Sequence, residues 1–485
     1  MGERQALAYD QPVHAALSRR AYRGPDTLST KSSNETLSAL RELVWRSGDG
    51  AHDESLRNRF LSRYPDLAKF DTWELKRFLG LNPDKAIHGI DDLPEVDGEP
   101  ADLYAQASRW PDDDERNQAR FAHDAARKVR MDSFGRPLPD DPATLEMGSL
   151  TGLSSQAHAH YGLPHLQFSD DPQVLKSDPR RFAVPPTVHT FGAEFADVYT
   201  DLALLAARLP DGEPLSVVFA GAAAHHIEDV ANQIHTVQVG DYDFFVDAKI
   251  ESIKLDLLSV GGLLHSRPDF ITIGIGIIEN HHTLAEALYA KHLLTAGDPV
   301  AKQTESARVD ETFASQLSAI GSGTSCPVGF GRALTENLIE RSSFEGPQVY
   351  DEIRKVALRK WSRAGEHFSG DPDVAIRPGA KLDAFFALEV AGAARATQTL
   401  RHWWRHFDLC KAGSPAMQAQ IAEALIRIRL DALDAQDDRA RKYVSTLPAA
   451  ERVNPWIPAG YLLFFTIFIL AGRAWRRRAS QKARS

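Results

Sequence analysis

Residues 219–240, Phe-Ala-Gly-Ala-Ala-Ala-His-His-Ile-Glu-Asp-Val-Ala-Asn-Gln-Ile-His-Thr-Val-Gln-Val-Gly, set metal-competent side chains into a run of small and apolar residues. His225 and Asp229 are four apart, so on a helix they share a face about one turn apart. His235 follows six residues after Asp229, far enough to leave that face and return to the same cluster. The flanks, Gly221 to Ala224, Ile227, Val230, Ala231 and Ile234, suit burial, and a buried polar group has to be paired. Two imidazoles and a carboxylate at this density suit a borderline-soft divalent cation, above all zinc. The same pattern also suits a core helix whose histidines are merely hydrogen-bonded, so the rest of the chain has to discriminate.

At 485 residues the chain can form two or three ordinary domains or one large core with insertions. Apolar content of 43% and charged content of 25% are those of a globular protein. A formal charge of −10 offers no basic footprint for sequence-independent DNA binding, so no stable nucleic-acid complex is expected. A nucleic acid as substrate in a cleft stays open. Eighteen His against two Cys removes thiolate zinc sites, leaving imidazole and carboxylate as the donors. Cys326 and Cys410 fit one disulfide in an oxidising compartment or two free thiols equally well.

Strand signals are few, and the fold class is mostly α: a multi-helix core with helical insertions and a C-terminal transmembrane helix. Residues 1–25 contain a short helix over 8–22, ended by Gly24-Pro25. Residues 26–140 read as an insertion of loops and amphipathic pieces at 37–45, 73–79 and 117–129. The stretch 141–310 reads as a predominantly helical core, with one helix over 199–209 closed by Pro210-Asp211-Gly212. A further helix is expected over 277–294, its start delayed by Gly274 and Gly276. A second helical block, 311–446, carries two long amphipathic helices over 381–407 and 414–445, with Trp403-Trp404 expected to pack inside the block. A linker, 447–455, leads to an uncharged run, 456–472, of roughly 25 Å at about 1.5 Å per residue. Trp456 and Trp475 at its ends suit membrane interfaces, and the Arg-rich tail, 473–485, orients it with the tail cytoplasmic. The body would then face the periplasm or the outside as a single-pass membrane protein. A buried terminal helix is the other reading of the run. No apolar h-region lies within 1–8, so no export signal is visible.

One helix cannot supply a closed zinc shell. His282 and Glu286 repeat the four-residue spacing on a second helix. His265 and Asp269 share it too, but Pro268 between them argues against continuous helix. Upstream lie His158 and His160, with Glu146 fourteen residues before His160 and Asp140 and Asp141 just before that. His14 stands alone near the start.

In this order the residues resemble the zinc-dependent phospholipase C and S1/P1 nuclease superfamily. That family's signature is a histidine, an aspartate four later and a histidine six after that, as in His225, Asp229 and His235. A later helix adds a histidine and an acid four apart, matched by His282 and Glu286, where glutamate is more like the phospholipase branch. An early histidine is matched by His14. An intervening carboxylate and histidine are matched by Glu146 with His160, with Asp141 and His158 as fallbacks. The chain departs at Gln233, where the family usually has proline, and in lacking the N-terminal tryptophan that serves there as a ligand.

The resemblance implies up to three zinc ions. His225 with His160 would complete one site, His14 another, and His235 with His282 and Glu286 a third, with Asp229 bridging two metals. It implies in-line hydrolysis of a phosphodiester by metal-activated water, with Asp229 and Glu146 catalytic and Glu146 able to orient the water. A phospholipid is the expected substrate, held near by the C-terminal anchor. A nuclease, or a membrane-tethered interaction protein that keeps the fold without the chemistry, are the alternatives.

Overall fold

The computed structural model describes residues 11–28, 34–64, 99–109, 190–236, 270–295, 311–320, 326–363 and 370–446, with single positions such as Gly162, Lys254 and Phe368 between them. The expected linker, membrane anchor and tail lie outside the described residues, as do Asp140, Asp141, Glu146, His158, His160, His265 and the pieces at 73–79 (apart from single positions) and 117–129. Among the described residues, no helix is long and apolar enough to cross a membrane.

The described chain is helical, with one isolated antiparallel bridge between Ala357 and Ile376. In chain order the helices are α1 (Gln11–Ala21), α2 (Asn34–Asp49), α3 (Glu54–Arg63), α4 (Pro100–Ala107), α5 (Gly192–Ala206) and α6 (Glu213–Ala231). There follow α7 (Phe270–Thr295), α8 (Glu311–Ala319), α9 (Phe330–Val356), α10 (Asp383–Lys411) and α11 (Pro415–Thr446). The mostly α class therefore holds. The helix expected from 277 begins at Phe270 and runs through Gly274 and Gly276. A cost of about 1 kcal/mol per glycine is too small to stop a helix in so apolar a run.

Helix α6 is the axis of the molecule. It is buried from Pro214 to Ala231 and packs along α5, with α4, α9 and α10 against its other sides. Its small residues allow this crowding. A Cβ on Gly221 would come within 2.6 Å of the Tyr104 carbonyl oxygen, so glycine here lets α4 lie directly on α6. A Cβ on Gly392 would sit 2.5 Å from the Ala231 carbonyl oxygen, so α10 closes on the other end of α6 in the same way.

One hydrophobic cluster runs from Ala21 through α5 and α6 to Leu430, so residues of the 311–446 block share a core with those before 310. Trp403 and Trp404 do not pack only inside that block. Trp403 donates its Nε1–H to Thr200 Oγ1 of α5 (2.8 Å), and the Trp404 ring meets Tyr22 and Tyr104 at 5.2 and 5.3 Å. Their apolar area and single polar handle seal the joint between the blocks. The two cysteines are paired, Cys326 with Cys410, tying the entry of α9 to the end of α10.

Candidate metal centre

Helix α6 carries His225 and Asp229 on one face, and α1 brings His14 against them; all three are fully buried. The two imidazoles stack at 4.2 Å. His225 Nε2 lies 3.1 Å from Asp229 Oδ2, while His14 Nε2 lies 3.4 Å from Asp229 Oδ1. Each oxygen of the carboxylate thus faces its own imidazole.

Both rings are oriented from behind. His225 Nδ1 lies 2.7 Å from the Ser108 carbonyl oxygen, a group that can only accept, so Nδ1 carries a proton and Nε2 is the nitrogen turned to Asp229. This contact is what the close approach of α4 at Gly221 makes possible, one helical turn before His225. His14 Nδ1 lies 2.7 Å from Glu228 Oε2, and Ser18 donates to Glu228 Oε1 at 2.7 Å. A carboxylate or carbonyl behind each imidazole is how metal-ligating histidines are held in one tautomer.

The electrostatics call for a cation. Burial disfavours the charged form of His14, but the carboxylates of Asp229 and Glu228 outweigh it and push the imidazole up to about 10. Burial pushes Glu228 up to about 7, with His14 and Ser18 holding it back. Two adjacent buried carboxylates are tolerable only beside positive charge, and a proton on His14 and a divalent cation are competing ways of supplying it.

The second group forms where α6 ends. The chain turns at Asn232 into a short 3₁₀ segment, Gln233–Thr236, which presents His235 to α7. His235 Nε2 lies 3.0 Å from His282 Nε2 and 3.2 Å from Glu286 Oε1, and His282 Nε2 lies 2.7 Å from the same Oε1. Ligands on a tetrahedral zinc with bonds of about 2.0–2.1 Å stand roughly 3.3 Å apart, so these three atoms form one slightly tightened face of such a shell. His14, His225 and Asp229 on one side, and His235, His282 and Glu286 on the other, are each close enough to hold one ion.

The neighbouring histidines do other work. His226 turns to the opposite face of α6 and stacks on Tyr199 at 5.5 Å. His281 lies 3.2 Å from the Tyr350 hydroxyl, and burial, with Arg354, pushes it down to about 4, so it stays neutral. In each His-His pair, one ring packs and the other faces a group of donors that could hold a metal.

His14, His225, Asp229, His235, His282 and Glu286 are thus brought into two groups, whereas Glu146 and His160 lie outside the described residues. One described position bears on them: Gly162, two residues after His160, donates its N–H to the His235 carbonyl oxygen at 3.2 Å. Gln233, where the family resemblance departs, donates its Nε2 to the Leu388 carbonyl (2.6 Å) and to Glu345 (3.0 Å), fastening the His235 turn to α10 and α9.

Sequence reasoning missed Glu228, Ser18 and the Ser108 carbonyl, and it missed Glu389 of α10. Glu389 is buried beside Leu388, and burial with the charges of Glu286 and Glu345 pushes it up to about 8. Glu228 had one available signal, its place beside Asp229 on the same buried helix.

Comparison with family models, with curated proteins and with solved structures gives no match.

Proposed function

We propose that the chain is a zinc-dependent hydrolase of phosphodiester bonds, resembling the phospholipase C and S1/P1 nuclease superfamily, with the phospholipase activity favoured. One observation carries the reading: Asp229 turns one oxygen to His225 and the other to His14, the arrangement of a carboxylate that bridges two cations. The separate His235–His282–Glu286 group supports a further site. His160 remains a proposed ligand beside His225. Glu146 remains the proposed partner of His160 as ligand and water-orienting group.

Bound divalent cations would polarise a phosphoryl oxygen and acidify an attacking water. The chain's residues do the rest. Asp229 would hold two cations at a fixed spacing. Glu228 and the Ser108 carbonyl keep the His14 and His225 rings in the tautomer that offers Nε2. The burial of all six groups excludes bulk water and strengthens each charge interaction.

The Cys326–Cys410 pair supports a body that matures in an oxidising compartment, as expected for a periplasmic or extracellular position. The single-pass anchor at 456–472 belongs to the same proposal and would hold the body at a phospholipid surface.

The deciding experiment is Asp229→Asn on the purified chain, with zinc counted and turnover measured on phosphatidylcholine, single-stranded DNA and bis-p-nitrophenyl phosphate. Loss of metal and of activity is expected. Full zinc with full turnover would overturn the reading, and the substrate panel separates a lipase from a nuclease. Zinc without turnover on any of the three favours the interaction protein.

A further inference from the structure

The end of α9 and the following 3₁₀ turn (Arg359–Ser362) border an open cavity of about 770 Å³. Its wall is cationic. Lys254, Arg354, Lys355, Arg359, Arg363 and Arg377 line it, with Asp351 as the one acidic side chain among the described residues. This runs against the chain's formal charge of −10.

Arg354 and Lys355 lie in the last turn of α9, where cations commonly complement the helix dipole. The dipole does not account for the other four. Lys355 is held by Glu352 (3.0 Å), and Arg377 spends its Nε on the Ala357 carbonyl (3.1 Å). Arg359 and Arg363 are exposed and make no ion pair with any described residue. Their guanidinium groups therefore offer the planar double donors that suit phosphate oxygens.

The turn carrying them is rigidly seated. Asn280 Nδ2 donates to the Trp361 carbonyl (3.2 Å), Trp361 Nε1 donates to the Ala375 carbonyl (3.1 Å), and Ser362 Oγ lies 3.3 Å from His281 Nε2. The arginines are thus mounted on a fixed frame, and that frame rests on α7 one and two residues before His282. The volume suits a small ligand or a head group rather than a nucleic-acid strand.

We propose that this cavity binds a phosphate dianion carried by a small phosphorylated compound or by a phosphorylated lipid head group. The assignment stands on the cavity alone and does not depend on the hydrolase reading. Ligand charge is matched by Arg359 and Arg363 directly and by Lys254, Arg354 and Arg377 around them.

The test is calorimetric titration of the full chain with inorganic pyrophosphate at low ionic strength. Wild type binds, and binding weakens as salt is added. The double variant Arg359→Ala/Arg363→Ala, whose side chains are exposed, keeps its melting temperature and binds at least tenfold more weakly. Asp229→Asn binds as wild type does. The proposal is overturned if wild type fails to bind at millimolar pyrophosphate, or if the double variant binds unchanged. It is equally overturned if Asp229→Asn abolishes binding while the double variant does not, because pyrophosphate then sits at the metal-binding cluster, and the hydrolase reading is untouched. Vesicles of phosphatidylcholine with and without phosphatidic acid separate the sources. Arginine-dependent recruitment only to phosphatidic acid assigns a lipid head group, and pyrophosphate binding without vesicle preference assigns a free compound.

Discussion

His14 and Glu228 meet at 2.7 Å across 214 residues of chain, and this contact fixes which nitrogen of His14 faces Asp229. Helix α1 is short and would be marginal by itself. Its docking on α6 makes it part of the centre. The carboxylate behind the imidazole both orients the ring and raises its basicity. Glu228→Gln should therefore weaken zinc binding by about 10- to 100-fold, the range for loss of such an orienting partner, while leaving the helical content intact. Competition with a chromophoric chelator measures it. Unchanged affinity would mean that Glu228 only neutralises His14.

The two donor groups share no residue, so they should empty independently. His225→Ala should lower the zinc content of its own group and leave the other filled, and His282→Ala should do the reverse, since a site that loses one of its few imidazole donors cannot hold the metal tightly. Metal removal should also lower the melting temperature. A ligand present at 100 times its Kd stabilises the folded state by about 2.7 kcal/mol. Thermal scans with chelator, and then with zinc restored, check this. A single variant that empties both groups would show that they are one cooperative cluster.

How much of this was legible in the sequence depended on whether contacts were local. The four-residue spacing places His225 with Asp229 and His282 with Glu286 on helix faces, and both pairs stand as read. The helices at 415–446 and 383–411 were expected within one to four residues of their observed ends. Helix α9 lies in the block expected to be helical, but its bounds were not marked in the sequence, where Ser342-Ser343 and Gly346-Pro347 interrupt the apolar periodicity. Pro347 is nonetheless carried inside it, since the helix is held by packing on α10 and α5. The Ser108 carbonyl could not have been found at all, because a backbone acceptor leaves no mark in residue type. The tie from Gln233 to Leu388 is equally silent.

The Cys326–Cys410 bridge closes a separation of 84 residues. In the chain-entropy account, a loop of that size stabilises the folded state by about 4 to 5 kcal/mol. Reduction, or Cys410→Ser, should lower the melting temperature of the metal-free and metal-loaded chain alike. A thermal scan with and without reductant checks it, and no change would mean that the bridge adds nothing beyond the packing of α9 on α10.

The last prediction concerns Asp197 and Asp201, one turn apart on α5 and both buried. Burial pushes Asp197 up to about 6, although the Arg332 backbone N–H, 3.1 Å from its Oδ1, favours the ionised form. Burial and the neighbouring Asp197 charge push Asp201 well above the usual carboxylate range. An acid whose folded-state pKa is raised binds its proton more tightly when folded. Its contribution is fully present below the unfolded value of about 3.9 and is lost as pH rises through about 6 and beyond. Each pKa unit corresponds to about 1.4 kcal/mol, so ionising Asp197 should cost the protein on the order of 3 kcal/mol between pH 4 and pH 8, with Asp201 acting in the same direction. Asp201→Asn removes one buried charge and gives its neighbour an amide donor. It should therefore raise stability at pH 8 and change it little at pH 4. Denaturant titrations of wild type and variant at the two pH values measure the difference. An equal effect at both would show that Asp201 stays protonated throughout and costs nothing by ionising.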